Sequence, residues 1–401
     1  MARLITAAME IAANSTGGVN NLEFAAPAQT GVKDTTTKRI SGASWKQTMA
    51  GALAYCEFSQ FPRVLGTTYF IRAYLAVSGF PTSTALSIFS LLSNAGATEI
   101  CNVSLSSAGV IVLNNVVGGG TLGNSQTIQL NVFYRFEIKI LLATGSTDAL
   151  EFRVDGNPLY SATGLTLSDI AFSTVRLGWL GTDAGGKFIW IDDVAINDSN
   201  GTDQNSFPGD GHIVYLFPAS DSSRVGFTTG AAGTTNLWDA VNNEPPIGVI
   251  ATSGTATSQI KDATNNITDN YVANMQSYTV AGIPTGAVIK LVQPFADFGG
   301  STTVAQSIGI TVVTNPAGSE DVKTGNAALV GTWDTGWAGF WGTAIYNPAV
   351  TFGTGPTMKV RQNTASTVTR SVDVMGIAVE FTTPSLVYEP RRVARNSLLR
   401  R

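Results

Sequence analysis

The sequence predicts an all-β chain of two antiparallel β-sandwich modules, and three observations carry that expectation. Short runs of apolar and β-branched residues, several alternating with polar ones, recur between Gly, Asn, Ser and Thr turn formers. Only 13% of the 401 residues are charged and 42 are glycine, unlike helix-rich enzymes, which draw on Glu, Lys, Arg and Ala. No stretch of about twelve residues has convincing helical periodicity, which sets aside a βαβ architecture. With 44% hydrophobic residues and a net charge of -4, the chain can fill two cores rather than stay disordered.

Residues 1–45 are rich in turn formers and carry a small basic cluster, Lys33, Lys38 and Arg39, so residues 1–19 are read as an N-terminal arm. The first module, 20–198, follows. Residues 67–77 (TTYFIRAYLAV) are aromatic and β-branched, as a strand requires. Residues 86–92, 100–105 and 110–113 are shorter strands, separated by Asn94 to Gly96, by Gly109 and by the glycines at 118–120. Residues 134–142 (YRFEIKILL) alternate as a half-buried antiparallel strand does. In residues 149–156 (ALEFRVDG), Leu150, Phe152 and Val154 take one face while Glu151, Arg153 and Asp155 take the other; Asp155-Gly156 is a hairpin turn signal. Residues 175–180 and 187–196 complete a regularly spaced set, the mark of a sandwich or jelly roll.

Residues 197–211 are fifteen consecutive positions dominated by turn formers, which places a linker at 199–211. A second sandwich, 212–384, has strands at 213–217, 287–292, 307–313, 357–361 and 372–381. Trp333, Trp337 and Trp341 recur every four residues, but Gly331, Gly336, Gly339 and Gly342 favour a loop and strand there. The C-terminal tail, 385–401, changes composition: Arg391, Arg392, Arg395, Arg400 and Arg401 stand with no acid from 390 onward. Its readings are a docking strap onto an acidic neighbour, then contact with packaged nucleic acid, then a solvated end.

Composition bounds the function classes. A pI near 5.1 argues against nucleic-acid binding, which needs a basic face. No window approaches the roughly 18 apolar residues of a membrane span, and the start has no apolar run long enough for a signal peptide. Two cysteines, Cys56 and Cys101, read as small buried side chains before a disulfide. His212 is the single histidine, so no multi-histidine metal site exists and a Ser/His triad would rest on that residue alone, with no Gly-x-Ser-x-Gly elbow nearby.

Candidate chemistry weighs as follows. Jelly-roll glycosidases need acids on one strand face, at i and i+2. Glu151 and Asp155 flank Arg153, and strict alternation puts Asp192 and Asp193 on opposite faces, so neither set is read as catalytic. Asp183, Asp192, Asp193, Asp198 and Asp203 supply oxygens near one end of the first module, without a recognisable calcium-loop spacing. Gly118 to Gly120 and Gly299-Gly300 lack the following Lys-Ser/Thr of a phosphate loop. Trp179, Trp190, Trp238, Trp333, Trp337 and Trp341 are available for stacking on sugars, though core packing is the plainer role. The residues therefore predict no enzyme, no cofactor and no metal.

Three stretches carry a family resemblance: 133–140 (FYRFEIKI), 150–156 (LEFRVDG), and 189–198 (IWIDDVAIND) running into 206–218 (SFPGDGHIVYLFP). Together with Asn236 to Asp239 and Asn243 to Pro246, they resemble tailed-bacteriophage virion proteins with a laminin G-like, concanavalin A-type jelly roll. Phe133 stands where Trp is usual in that family. The resemblance spans roughly residues 1–385 and leaves the arginine tail outside. It implies a concanavalin A-like first module, a second β module, and a structural role in the virion as a minor tail, collar or capsid-surface protein. It also implies several copies per particle, contact with other virion proteins, synthesis in the host cytoplasm and exposure on the particle surface. The alternative is a carbohydrate-binding adhesin that contacts a host surface glycan. No membrane insertion and no nucleic-acid partner are expected.

Overall fold

In a computed structural model, the structure describes residues 3–9, 23–24, 31–40, 42–49, 51–59, 61–82, 84–183, 185–200, 204–229, 236–241, 260–262, 266–300, 307–312, 321–324, 334–337, 355–363 and 370–383. The first module opens with β1 (Arg3–Ala7), β2 (Gly31–Asp34), β3 (Ser44–Thr48), β4 (Ala54–Phe58) and β5 (Thr68–Val77). It continues with β6 (Leu86–Ser93), β7 (Thr98–Leu105), β8 (Val110–Asn115), β9 (Thr121–Thr127) and β10 (Tyr134–Leu141). β11 (Asp148–Val154), β12 (Asn157–Leu165), β13 (Phe172–Trp179) and β14 (Phe188–Asp198) complete it. The second module has β15 (His212–Leu216), β16 (Pro218–Val225), β17 (Phe227–Thr229), β18 (Ile260–Asp262), β19 (Asn270–Met275) and β20 (Val288–Gly300). Its later strands are β21 (Ser307–Val312), β22 (Asp321–Thr324), β23 (Asp334–Trp337), β24 (Thr357–Gln362) and β25 (Arg370–Thr382).

The chain is all-β, and the strand pairings are antiparallel. An eight-stranded sheet, ordered β12-β11-β10-β5-β14-β3-β2 with β1 added along β14, faces a six-stranded sheet ordered β4-β13-β6-β7-β8-β9. In the second module a sheet ordered β17-β18-β25-β20-β23, with β15 added to β25, faces the five-stranded β16-β19-β24-β21-β22. Each pair of sheets encloses one core. The first is built from inward residues such as Trp45, Ile71, Phe89, Phe136, Phe152 and Trp179, and the second from Leu216, Tyr271, Val292, Ile310, Val360 and Phe381. Alternation explains the division: on β10, Phe136, Ile138 and Ile140 point into the core, while Arg135, Glu137 and Lys139 take the outer face.

A third, smaller apolar layer joins the modules. Ala8 and Ala195 from the first meet Ile213, Tyr215, Phe295 and Ala378 from the second. The outer face of the eight-stranded sheet is therefore partly covered, giving four sheets in a stack.

Local turn chemistry follows the residue types. The β11–β12 hairpin turns on Asp155 (φ 52°) and Gly156 (φ 84°), both left-handed, as a two-residue type I′ connection requires. Gly178, at φ 136°, lies against the Gln47 side chain and the Ala54 carbonyl, where a Cβ has no room.

Two expectations change. The first residues of the expected N-terminal arm are a buried strand: Ile5 pairs with Ile196 and Ala7 with Val194, filling the part of β14 that β3 leaves unpaired. Their short length and leading Arg3 hide that role in the sequence. The expected linker is not a free tether either, because residues 206–211 lie along the first module, as described below. Cys56 and Cys101 are fully buried and unpaired, and burial raises both thiols.

Candidate functional site

The principal polar cluster of the described residues lies where the modules meet. β5 alternates Arg72 and Tyr74 onto its outer face, and β10 does the same with Arg135 and Glu137. From the second module, β25 presents Glu380 and β20 presents Lys290. β1 delivers Arg3 from the other side. Glu380 then forms an ion pair with Arg3 at 2.5 Å and accepts from Arg72 at 2.6 Å, with all three side chains fully buried, and Lys290 stands 3.4 Å away. Arg72 also donates through Nε to the Asp193 carbonyl at 3.1 Å, and Arg3 through Nε to Asn197 at 2.5 Å.

Burial alone would raise the Glu380 carboxyl, but Arg3, Arg72 and Lys290 outweigh it and hold the group below the ordinary range. Desolvation instead lowers Arg3 and Lys290, with Glu380 opposing that effect in both. Taking such charges out of water costs several kcal/mol per ion, so the cluster stands only because each charge meets opposite charge and hydrogen bonds.

Beside this lies a second group. Asp193 sits at φ 48° in a β-bulge of β14, between the pairs Asp192–Tyr74 and Ala195–Arg72. The bulge breaks strict alternation, so the expectation that Asp192 and Asp193 face opposite ways is corrected. Both meet Arg39: its backbone N–H donates to Asp192 at 3.0 Å and its guanidinium pairs with Asp193. Asp193 also accepts the Ile213 N–H at 2.5 Å and lies 3.5 Å from His212 Nδ1. His212 is the first residue of β15 and pairs with Phe381. Desolvation, then the charge of Asp193, pushes Asp192 well above the ordinary aspartate range.

Residues 206–211 lie across the same face. Phe207 rests on Phe70 with ring centroids 5.3 Å apart, under the Arg153 guanidinium at 3.9 Å. Gly209 donates its N–H to Glu137 at 2.9 Å and accepts from Arg72 at 3.1 Å. Asp210 Oδ1 accepts the Tyr74 hydroxyl at 2.5 Å, with Arg39 at 3.4 Å and Arg135 at 3.6 Å. Arg39 is stacked on the Tyr74 ring at 3.2 Å and bonds the Gly211 carbonyl at 2.7 Å. Burial is the main reason the Tyr74 phenol rises to about 12.

The other singled-out residues do not converge here. Glu151 pairs with Arg153 at 2.6 Å, and Asp155 accepts the Arg135 N–H at 2.8 Å. Asp183 binds Thr82 and Lys187, and Asp198 accepts from Asn200, so neither joins Asp192 and Asp193 at Arg39. Among the described residues no group of three or more His, Cys, Asp or Glu side chains could hold a metal ion. Trp179 is core, Trp190 is buried with its indole donating to Asp34 at 2.9 Å, and Trp238 lies in a single 3-10 turn. Trp337 lies on β23, whereas Asp203, Trp333, Trp341 and the tail arginines Arg391, Arg392, Arg395, Arg400 and Arg401 fall outside the described residues. Arg3, Arg72, Tyr74, Arg135, Glu137, Lys290 and Glu380 were not legible as a group, because a charge at an outward strand position reads as solvent-facing.

No family model matches the chain, and no curated protein matches it. Solved structures do. A cellulose-induced protein, Cip1, is similar over 46% of this chain and 88% of its own, at 18% identity and TM-score 0.34. An endo-β-1,4-glucuronan lyase from the fungus Trichoderma reesei is similar over 45% and 92%, at 13% identity and TM-score 0.36. The alginate lyase Aly36B, as a mutant in complex with alginate trisaccharide, is similar over 49% and 98%, at 13% identity and TM-score 0.34. The expectation that this chain is not an enzyme is corrected: two of these three similar structures are enzymes. At such scores the likeness brings no substrate, reaction or catalytic residue to this chain.

Proposed function

We propose that this chain is a structural component of a bacteriophage virion, a minor tail, collar or capsid-surface protein present in several copies and in contact with other virion proteins. One observation carries the reading. The residues behind the sequence resemblance, 189–198 and 206–218, are those that build the junction: Asp193, Phe207, Gly209, Asp210, Gly211 and His212 all bond or stack there. A junction with buried ion pairs and its own apolar layer resists hinge motion, whereas interfaces between loosely tethered domains are smaller and more polar. Rigidity of this kind suits a part that transmits position between neighbours in a particle.

The test is direct. Density-purified particles, probed with antibody against this chain in negative-stain micrographs and by quantitative mass spectrometry, are expected to contain it at a fixed multiple per particle. Its absence from particles free of host debris would overturn the proposal.

A further inference from the structure

We infer that β1 couples the two sandwiches, so that the N-terminal strand makes them unfold as one cooperative body. The outward face of that strand carries the coupling.

The two faces of β1 belong to different modules. Ile5, Ala7 and the following Met9 point into the first core, which holds the strand in its own sheet beside β14. Thr6 and Ala8 alternate to the opposite face, and the register shift between Arg3 and Ile5 brings Arg3 onto that face with them. Each of the three meets a different strand of the second module. Arg3 pairs with Glu380 on β25 at 2.5 Å, the Thr6 hydroxyl donates to Gln293 on β20 at 2.6 Å, and the Ala8 N–H donates to the Tyr215 hydroxyl on β15 at 3.1 Å. β15, β25 and β20 are neighbours in one sheet, so this short segment lies across three adjoining strands.

Register shows what β1 adds to the junction. Ile213 and Glu380 are paired on β15 and β25, and the rest of the first module grips that row: Asp193 accepts the Ile213 N–H and Arg72 donates to Glu380. The next outward row is Tyr215, Ala378 and Gln293, with Ala378 paired to both of the others. Thr6 and Ala8 bond the two ends of that row, and Ala8 packs with Tyr215 and Ala378 in the apolar layer between the modules. Arg3, Thr6, Gln293 and Glu380 are all buried. Unfolding of the second sandwich alone would strip every one of these contacts from a strand that the first sandwich still holds, and that loss is what joins the two transitions.

Calorimetry of the full chain tests this. The parent is expected to melt in a single transition whose calorimetric and van't Hoff enthalpies agree. Arg3→Met with Thr6→Val removes the polar contacts and leaves Glu380 with Arg72 and Lys290. That variant is expected to melt in two transitions, the second sandwich first, separated by about 5 °C or more. Ile5→Ala is the control, because it lies on the same strand but faces the first core; it is expected to lower the transition without dividing it. Hydrogen exchange should place the change, with amides of β20 and β25 faster in the double variant and those of β6 and β13 unaltered. A single transition in the double variant would overturn the inference, as would two transitions in the parent or in Ile5→Ala. Should the double variant fail to fold, Thr6→Val alone replaces it, with the same outcomes.

Discussion

Arg3 and Glu380, near opposite ends of the sequence, form a 2.5 Å ion pair whose side chains are both excluded from solvent. With Arg72 on the other carboxylate oxygen, the pair ties β1, β5 and β25 into one unit. Removing the charge at its centre leaves two buried guanidiniums without compensation. Glu380→Gln is therefore expected to cost about 3–5 kcal/mol in denaturant unfolding. A loss below about 1 kcal/mol would show that the arginines find other partners.

Acid should act on the same pair. The folded-state carboxyl of Glu380 is held below its ordinary value, so its contribution is complete above the ordinary glutamate range, roughly 4.3, and is lost as pH falls below it. Stability measured against pH is expected to drop through that range, and the drop should be shallower in Glu380→Gln.

Asp192 has the opposite sign. Its folded-state value is raised by burial and by Asp193, so it favours the folded state only while protonated and opposes it as pH rises above the ordinary aspartate range. Asp192→Asn keeps an acceptor for the Arg39 N–H and removes the charge. The variant is expected to gain ~1 kcal/mol or more over the parent near pH 7, since one pKa unit is worth about 1.4 kcal/mol, with the difference shrinking toward pH 4. Equal stability of the two across this range would contradict the assignment.

The thiols give a structural readout. Cys56 and Cys101 are fully buried, and desolvation raises both, so neither presents a thiolate. A thiol reagent at neutral pH is expected to label neither in the native chain and both in denaturant. Rapid native labelling at Cys56 would mean that the β4 edge of its sheet opens.

Gly178 tests the close approach of β13 to β3 and β4. Alanine there meets both a left-handed backbone and the Gln47 and Ala54 atoms. Gly178→Ala is expected to destabilise by more than about 1 kcal/mol in thermal or denaturant unfolding.

Much of the fold was legible, and the reason is alternation. β10 and β11 place apolar residues at every second position, and Asp155-Gly156 supplies the left-handed pair that the β11–β12 hairpin turns on. The polar strands were not legible. β9 (TLGNSQT) and β16 (PASDSSRV) lie at sheet edges, so little of them is buried and composition leaves no trace. The junction was hidden for a different reason. Arg72, Glu137 and Glu380 occupy outward positions of alternating strands, a pattern that reads as a wet surface until a second sheet covers it. Only pairing between distant parts of the chain reveals that cover, and a single sequence does not encode it locally.

The position of Glu380 also bears on how the molecule is made. A ribosome releases Arg3 and Arg72 long before it reaches β25, so the first sandwich must spend most of translation with these cations in water and one flank uncovered. Closure waits for the last strand described here, which is also central to its own sheet, between β18 and β20. A nascent chain stalled before residue 370 would thus hold a finished first half with a sticky, unsealed side, and that is the stage at which chaperone engagement or aggregation should concentrate.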